Sequence, residues 1–304
     1  AVARLAAADQ AARAAEQTAA YNVRAACFEL LRKTELHAVA QANAAAYKDH
    51  LEQTQHRYDV GAVTSYEVSK ARVDSENARL SEIVAAHGVQ TARAGLALAL
   101  GLAENPDIDL QPLETAPDTR TLDDLWAIAQ TNAPSLASLR AAADAAKNYV
   151  DWTICDLYPK LSLTLTFDAQ GDSTPLLWNY AAVPAAAQTL FAGRAKTRQI
   201  ETAVSQLRAA RSKLAAAEQT LYNTLLNATL SAQSAQDALD VAQSAAAAAQ
   251  ENFDIVSSRY DVGKASVLER TDAQVALSRA QAEVVTARYN LLDTRILITR
   301  LIGE

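Results

Sequence analysis

The chain has 304 residues, half of them apolar, with 28 basic and 35 acidic side chains and a formal charge of −7. That balance excludes the basic stripe a nucleic-acid partner requires, so no nucleic acid is expected. Only 8 Gly and 7 Pro occur while Ala fills long stretches, a composition that favours long helices because Ala loses least on entering one.

Residues 1–60 contain neither Gly nor Pro, and as one helix they would run about 90 Å at ~1.5 Å per residue. Ala1 opens inside a helical pattern without a basic segment followed by an apolar block, so no signal peptide is read. Met is absent even at position 1, and the chain is expected to be processed or incomplete. No apolar run reaches the ~18 residues of a membrane-spanning helix. Cys27 and Cys155 belong to no metal-ligand or CxxC pattern. Two isolated buried thiols are expected, with a disulfide as the alternative.

Residues 57–61 read Arg-Tyr-Asp-Val-Gly, and the same five residues return at 259–263, an offset of 202. Without a gap, that offset also pairs Glu67 with Glu269, Ala71 with Ala273, Val73 with Val275, Ala78 with Ala280, Arg93 with Arg295 and Gly101 with Gly303. Agreement sustained to a Gly that follows an apolar helix marks two internal repeats. Each copy reads as a long helix, a tight turn at the Gly, and a returning helix of about 35 to 40 residues.

Between the copies, residues 104–121 hold Pro106, Pro112 and Pro117 and read as a linker. Short helices are predicted at 122–131 and 134–157, with Pro134 suited to a first turn. Leu161, Leu163, Leu165 and Phe167 then alternate with Ser162, Thr164, Thr166 and Asp168, the period of a strand with one apolar face. Gly171–Pro175 reads as a loop, and a weaker strand follows at roughly 177–190 around Pro184, which suits an edge or a bulge. A lone ribbon is marginal in water. It either packs on a helix of its own chain or closes with other copies into a barrel whose apolar face meets lipid. Residues 194–262, again free of Gly and Pro, form the second rod, in which Leu207, Leu214 and Leu221 recur at the heptad spacing of a coiled coil. The chain divides into 1–103, a first helical hairpin; 104–158, linker and short helices; 159–191, the β-hairpin; and 192–304, the second helical hairpin.

Tyr58–Gly61 and Tyr260–Gly263, the strand opening Tyr158–Leu163, the Leu190–Gly193 approach to the second rod, and Ala287–Leu292 together resemble the TolC-type outer-membrane efflux proteins. The resemblance covers essentially the whole chain. It implies a mainly α fold: a long antiparallel coiled-coil helical tunnel with a small transmembrane β-barrel contribution, two structural repeats and a homotrimer. It implies a passive channel-tunnel in the outer membrane of a Gram-negative bacterium, extending into the periplasm. Such a channel exports small molecules or proteins, in multidrug export or type I secretion. The implied partners are a periplasmic adaptor protein, an inner-membrane transporter reached through it, and outer-membrane lipid. A mate for the β-hairpin and for the helix near 122 would lie upstream of Ala1, so at least ~80 further residues are expected there.

The resemblance also assigns residues. Arg57, Tyr58, Asp59, Val60 and Gly61, with Arg259, Asp261, Val262 and Gly263, correspond to the periplasmic tip that receives the adaptor; alternatively each Gly merely ends a helix. Glu269 and Asp272 correspond to pore-facing acids, which tripled about an axis would attract cations; a solvated helix face is the plainer alternative. Tyr260, Glu67 and Lys264 correspond to gating residues, although Ala265 stands where the family has its basic group. Leu161, Leu163, Leu165 and Phe167 correspond to the lipid-facing strand. His37, His50, His56 and His87 show no ligand spacing, and a solvated surface is expected for His50 and His56. No P-loop, G-x-S-x-G or dinucleotide fingerprint occurs; neither an enzyme nor a metal or other cofactor is expected. The competing function is a periplasmic structural or adaptor-like coiled coil without a pore, and a truncated or engineered tunnel fragment is a third.

Overall fold

A computed structural model describes residues 2–102, 110, 120–170 and 177–303. The chain is mainly helical. Its order is α1 (Val2–Asp59), α2 (Ser65–Ala99), α3 (Leu122–Asn132), α4 (Pro134–Cys155), β1 (Lys160–Gln170), β2 (Leu177–Ala187), α5 (Ala195–Asp261) and α6 (Val267–Ile302). Gly61, Gly101, Gly263 and Gly303 follow the ends of α1, α2, α5 and α6 with positive φ, Gly193 with positive φ precedes α5, and no other residue type has positive φ among the described residues. Most of the expected linker 104–121 and the loop Gly171–Pro175 lie outside the described residues.

Two compact units are formed: Ala1–Ala14 with Ala133–Thr220, and Ala15–Asn132 with Leu221–Glu304. In the second unit α6 is the common partner of three apolar clusters. Leu125 and Ala129 of α3 meet Leu225 and Ala228 of α5 and Ile298 and Ile302 of α6. Phe28 of α1 packs with Val285, Tyr289 and Ile296, and Leu239 and Ala242 of α5 pack with Ala287 and Leu291. Burying a side chain such as Leu225, which is 0% exposed, stabilises by about 2 kcal/mol. Polar ties fix the register of α1 on α6. Ser278 donates to Asn43 at 2.6 Å and Gln274 donates to it at 3.0 Å, and the Tyr289 hydroxyl donates to Glu35 at 2.7 Å.

Along α5 the covered positions recur at alternating steps of three and four, as in Leu221, Leu225, Ala228, Ala232, Ala235, Leu239, Ala242, Ala246, Ala249, Phe253, Val256 and Tyr260. This 3.5-residue period is the coiled-coil seam, and Leu207 and Leu214 continue it as half-buried residues. On α2 the same spacing occurs without cover: Tyr66, Val73 and Leu80, seven apart, are 69%, 58% and 60% exposed.

In the first unit β1 and β2 pair antiparallel, Lys160 opposite Ala187 through Gln170 opposite Leu177. β1 runs past the alternating stretch to Gln170, and β2 stops at Ala187, short of its expected end. Pro184 lies inside β2 opposite Leu163; a two-stranded ribbon leaves each strand at an edge, where a missing N–H is tolerated. At the foot of the ribbon, Asp156 accepts an ion pair from Lys160 at 2.6 Å and another from Lys196. The Gln188 amide donates to the Leu157 carbonyl at 3.2 Å. Both cysteines are free, and Cys155 is exposed rather than buried.

Candidate functional site

The two Arg-Tyr-Asp-Val-Gly segments close their helices in the same way. Gly61 donates to Tyr58 at 2.9 Å and Ala62 to Arg57 at 2.8 Å; Gly263 donates to Tyr260 at 3.0 Å and Lys264 to Arg259 at 2.7 Å. This is the double bond of a Schellman cap, which needs a left-handed residue, and the two Gly φ values are 75° and 73°. Nothing lies within 4 Å of a Cβ built on either Gly. Backbone conformation, and not crowding within the chain, is what selects Gly there.

The side chains of the two turns differ. Tyr58 and Val60 are 44% and 79% exposed, as is Val262 at 67%, whereas Tyr260 is 6% exposed. Tyr260 is the last residue of the α5 seam and is enclosed by a small cluster. The His50 ring of α1 meets it edge-on, with centroids 5.6 Å apart. The Arg57 guanidinium sits 5.0 Å from its ring centre and that of Arg270, from α6, 5.8 Å away. Arg57 also pairs with Asp261 at 3.6 Å, so the last inward residue of α1 clamps the end of α5.

His50 is 1% exposed, which overturns its expected place on a solvated surface; His56 is exposed. Residues 43, 47, 50, 54 and 57 form the covered stripe of α1, and position 50 is part of it. Neither ring nitrogen of His50 has a hydrogen-bond partner among the described residues, nor has the Tyr260 hydroxyl. Burial, followed by the Arg270 charge, pushes the His50 pKa down to about 4.

Of the proposed gating residues, only Tyr260 is in this cluster. Its hydroxyl is unpartnered, so the pair with Glu67 is not made among the described residues. Lys264 is exposed, and its carbonyl accepts from Arg259 at 3.4 Å. Glu269 and Asp272 are both exposed on α6. Glu269 serves its own helix, since its carboxylate accepts from the Ser266 N–H at 2.6 Å while its N–H donates to the Ser266 hydroxyl at 3.2 Å. This capping box holds its carboxyl below the ordinary range, through the Ser266 backbone first and its hydroxyl second. Sequence reasoning missed His50 and Arg270, though extending the Asn43–Tyr47 spacing by one step reaches His50.

In the first unit the ribbon has one apolar side. Leu161, Leu163, Leu165 and Phe167 are 83%, 64%, 74% and 65% exposed. Their cross-strand partners are Ala186, Pro184, Ala182 and Tyr180. Ser162, Thr164, Thr166 and Asp168 lie on the other face with Ala185, Val183, Ala181 and Asn179. Phe167 and Trp178 touch, with centroids 5.0 Å apart, near the loop end. At the foot, Tyr158, Leu190 and Phe191 are 65%, 91% and 88% exposed. No described helix is long and apolar enough to cross a membrane.

A family model described as "Outer membrane efflux protein" matches residues 1–102 and 125–304. Outer membrane protein TolC of Escherichia coli (strain K12) is 22% identical over 306 residues, covering 95% of this chain and 62% of TolC. The chain therefore spans about three-fifths of the length of that relative. A membrane protein from Pseudomonas aeruginosa shares the fold with a TM-score of 0.87 at 18% identity, covering 99% of this chain and 69% of its own. The Campylobacter jejuni CmeC outer membrane channel does so with a TM-score of 0.83 at 16% identity, with 99% and 66% covered. On the extent of the family match, the chain belongs to the outer membrane efflux protein family and is a protein of the outer membrane.

Proposed function

We propose that this chain is part of a passive channel-tunnel that exports small molecules or proteins across the periplasm and outer membrane. The observation that carries this reading is the β-ribbon. Its strands have eleven residues each, and a barrel strand tilted in a bilayer needs about 9 to 11. Its leucine face has no cover among the described residues, and aromatic residues stand at both ends, as at the two interfaces of an outer-membrane barrel. A homotrimer in which each chain adds this ribbon and the upstream mate expected from the repeat supplies what one ribbon lacks, since closure removes every strand edge. The bare heptad Tyr66, Val73 and Leu80 on α2 supports the same assembly, because an exposed apolar seam is stable only against another helix.

In this reading the two helical hairpins are structural repeats whose turns form the tip, with Arg57–Gly61 and Arg259–Gly263 facing a periplasmic adaptor that links the channel to an inner-membrane pump. Exposed Val60 and Val262 give that contact its apolar area. Asp272 and Glu269, repeated by symmetry, make a cation-favouring ring. Tyr260 is the seated member of the gate, while Glu67 and Lys264 have contacts to make only with another copy or a partner.

Single-channel recording in planar bilayers tests the function. Discrete conductance is expected, with cation selectivity that falls in Asp272→Asn. A protein that stays monomeric without detergent and never conducts would overturn the channel and leave the adaptor-like coiled coil.

A further inference from the structure

The His50 imidazole is enclosed by groups from four helices that give it no proton acceptor. On its own helix stands Arg57, and from α6 comes Arg270, both of them cations. The two carboxylates that face it are already engaged: Asp74 of α2 is paired with Lys70 at 3.1 Å, and Asp261 of α5 with Arg57 at 3.6 Å. The Tyr260 ring covers one edge of the imidazole. Both ring nitrogens are without a hydrogen bond among the described residues, so an added proton would be a third positive charge, on a side chain only 1% exposed. A buried charge without a partner is expelled or breaks its enclosure.

We propose that the His50–Tyr260 contact is an acid-labile latch: below neutral pH a proton on His50 ejects it from between Arg57 and Arg270 and unseats Tyr260 at the end of α5. The seated state binds the proton less readily than the released state, which has the ordinary value of 6.5. Seating is therefore complete above pH 6.5 and is lost progressively as pH falls toward 4. With His50 at about 4 when seated, the seated-to-released ratio at pH 5 drops about 30-fold. The release concerns packing within one chain. Its use as a gate rests on the channel function proposed above, and amide exchange reads the first without the second.

In detergent-solubilised protein, hydrogen-exchange protection across 257–264 is compared at pH 7.5 and pH 5, corrected for intrinsic rates. Wild type is expected to lose about 30-fold in protection. His50→Phe keeps a ring against Tyr260 but takes up no proton, and should lose less than about 3-fold. Equal losses in the two proteins, or no loss in wild type, would overturn the latch. Should His50→Phe not fold, exchange of the His50 C2 hydrogen in wild type decides: a midpoint below 6 supports the latch, and one at 6 or above removes it. A latch that releases in a protein that never conducts would sink the gate and spare the switch.

Discussion

The turn at 57–61 and the turn at 259–263 have the same five residues, the same pair of capping hydrogen bonds and φ values within a few degrees, yet one tyrosine is in solvent and the other is buried. The difference is helix phase. On α1 the covered stripe arrives at the turn through His50, Thr54 and Arg57, whereas on α5 it arrives through Phe253, Val256 and Tyr260. At the repeat offset of 202 the stripes coincide at Thr54 and Val256, but their last steps part by one residue, to Arg57 on α1 and to Tyr260 on α5, which is about 100° around a helix of 3.6 residues per turn. A pentapeptide fixes its own backbone; the many turns of helix before it decide which side chain faces inward.

Truncating the two tyrosines should separate the turns most. Tyr260→Ala should cost about 3 kcal/mol, in the range for a buried aromatic, while Tyr58→Ala should stay within ~0.5 kcal/mol as a surface change. Denaturant unfolding of the solubilised protein measures both, and equal losses would show that the phase difference has no energetic weight. The glycines test the opposite claim, that the backbones are alike. Gly61→Ala and Gly263→Ala should each cost about 1 to 2 kcal/mol from the left-handed conformation alone, and matched melting shifts are expected because neither Cβ would meet a neighbour. The smallest contrast lies just beyond the turns. Ser266 caps α6 reciprocally with Glu269, but Thr64 before α2 makes no side-chain cap. Ser266→Ala should therefore cost about 1 kcal/mol and Thr64→Ala a few tenths, roughly, by thermal unfolding.

Much of this architecture is legible in the sequence. Segments without Gly or Pro become rods because nothing in them stops a helix, and the duplicated pentapeptide locates both caps. Leu-Ser-Leu-Thr-Leu-Thr-Phe makes a one-sided strand since side chains alternate across a ribbon. Contact between helices is what the sequence conceals. Periodicity shows that a stripe is covered, not by what, so it puts His50 on the covered side of α1 but cannot show the approach of Arg270 or Tyr260 to it. The Ser-x-x-Glu spacing at 266–269 is a capping-box signature, but the family resemblance points Glu269 toward a pore instead. The two tyrosines cannot be told apart from Arg-Tyr-Asp-Val-Gly, which is the same in both places.

The alanines of the α5 seam have a mechanical consequence. From Ala228 to Ala249 the covered positions of the seam are alanine except for Leu239, and each presents a single methyl to its neighbour. A helix sliding or rotating over such a surface forfeits little dispersion at each step, and no knob must climb out of its hole. Resistance to shear is then concentrated in the few large side chains, Leu239 midway and Phe253 and Tyr260 at the turn. The rod behaves as a low-friction bearing with a detent at its tip, so its compliance is set by those residues far more than by its length.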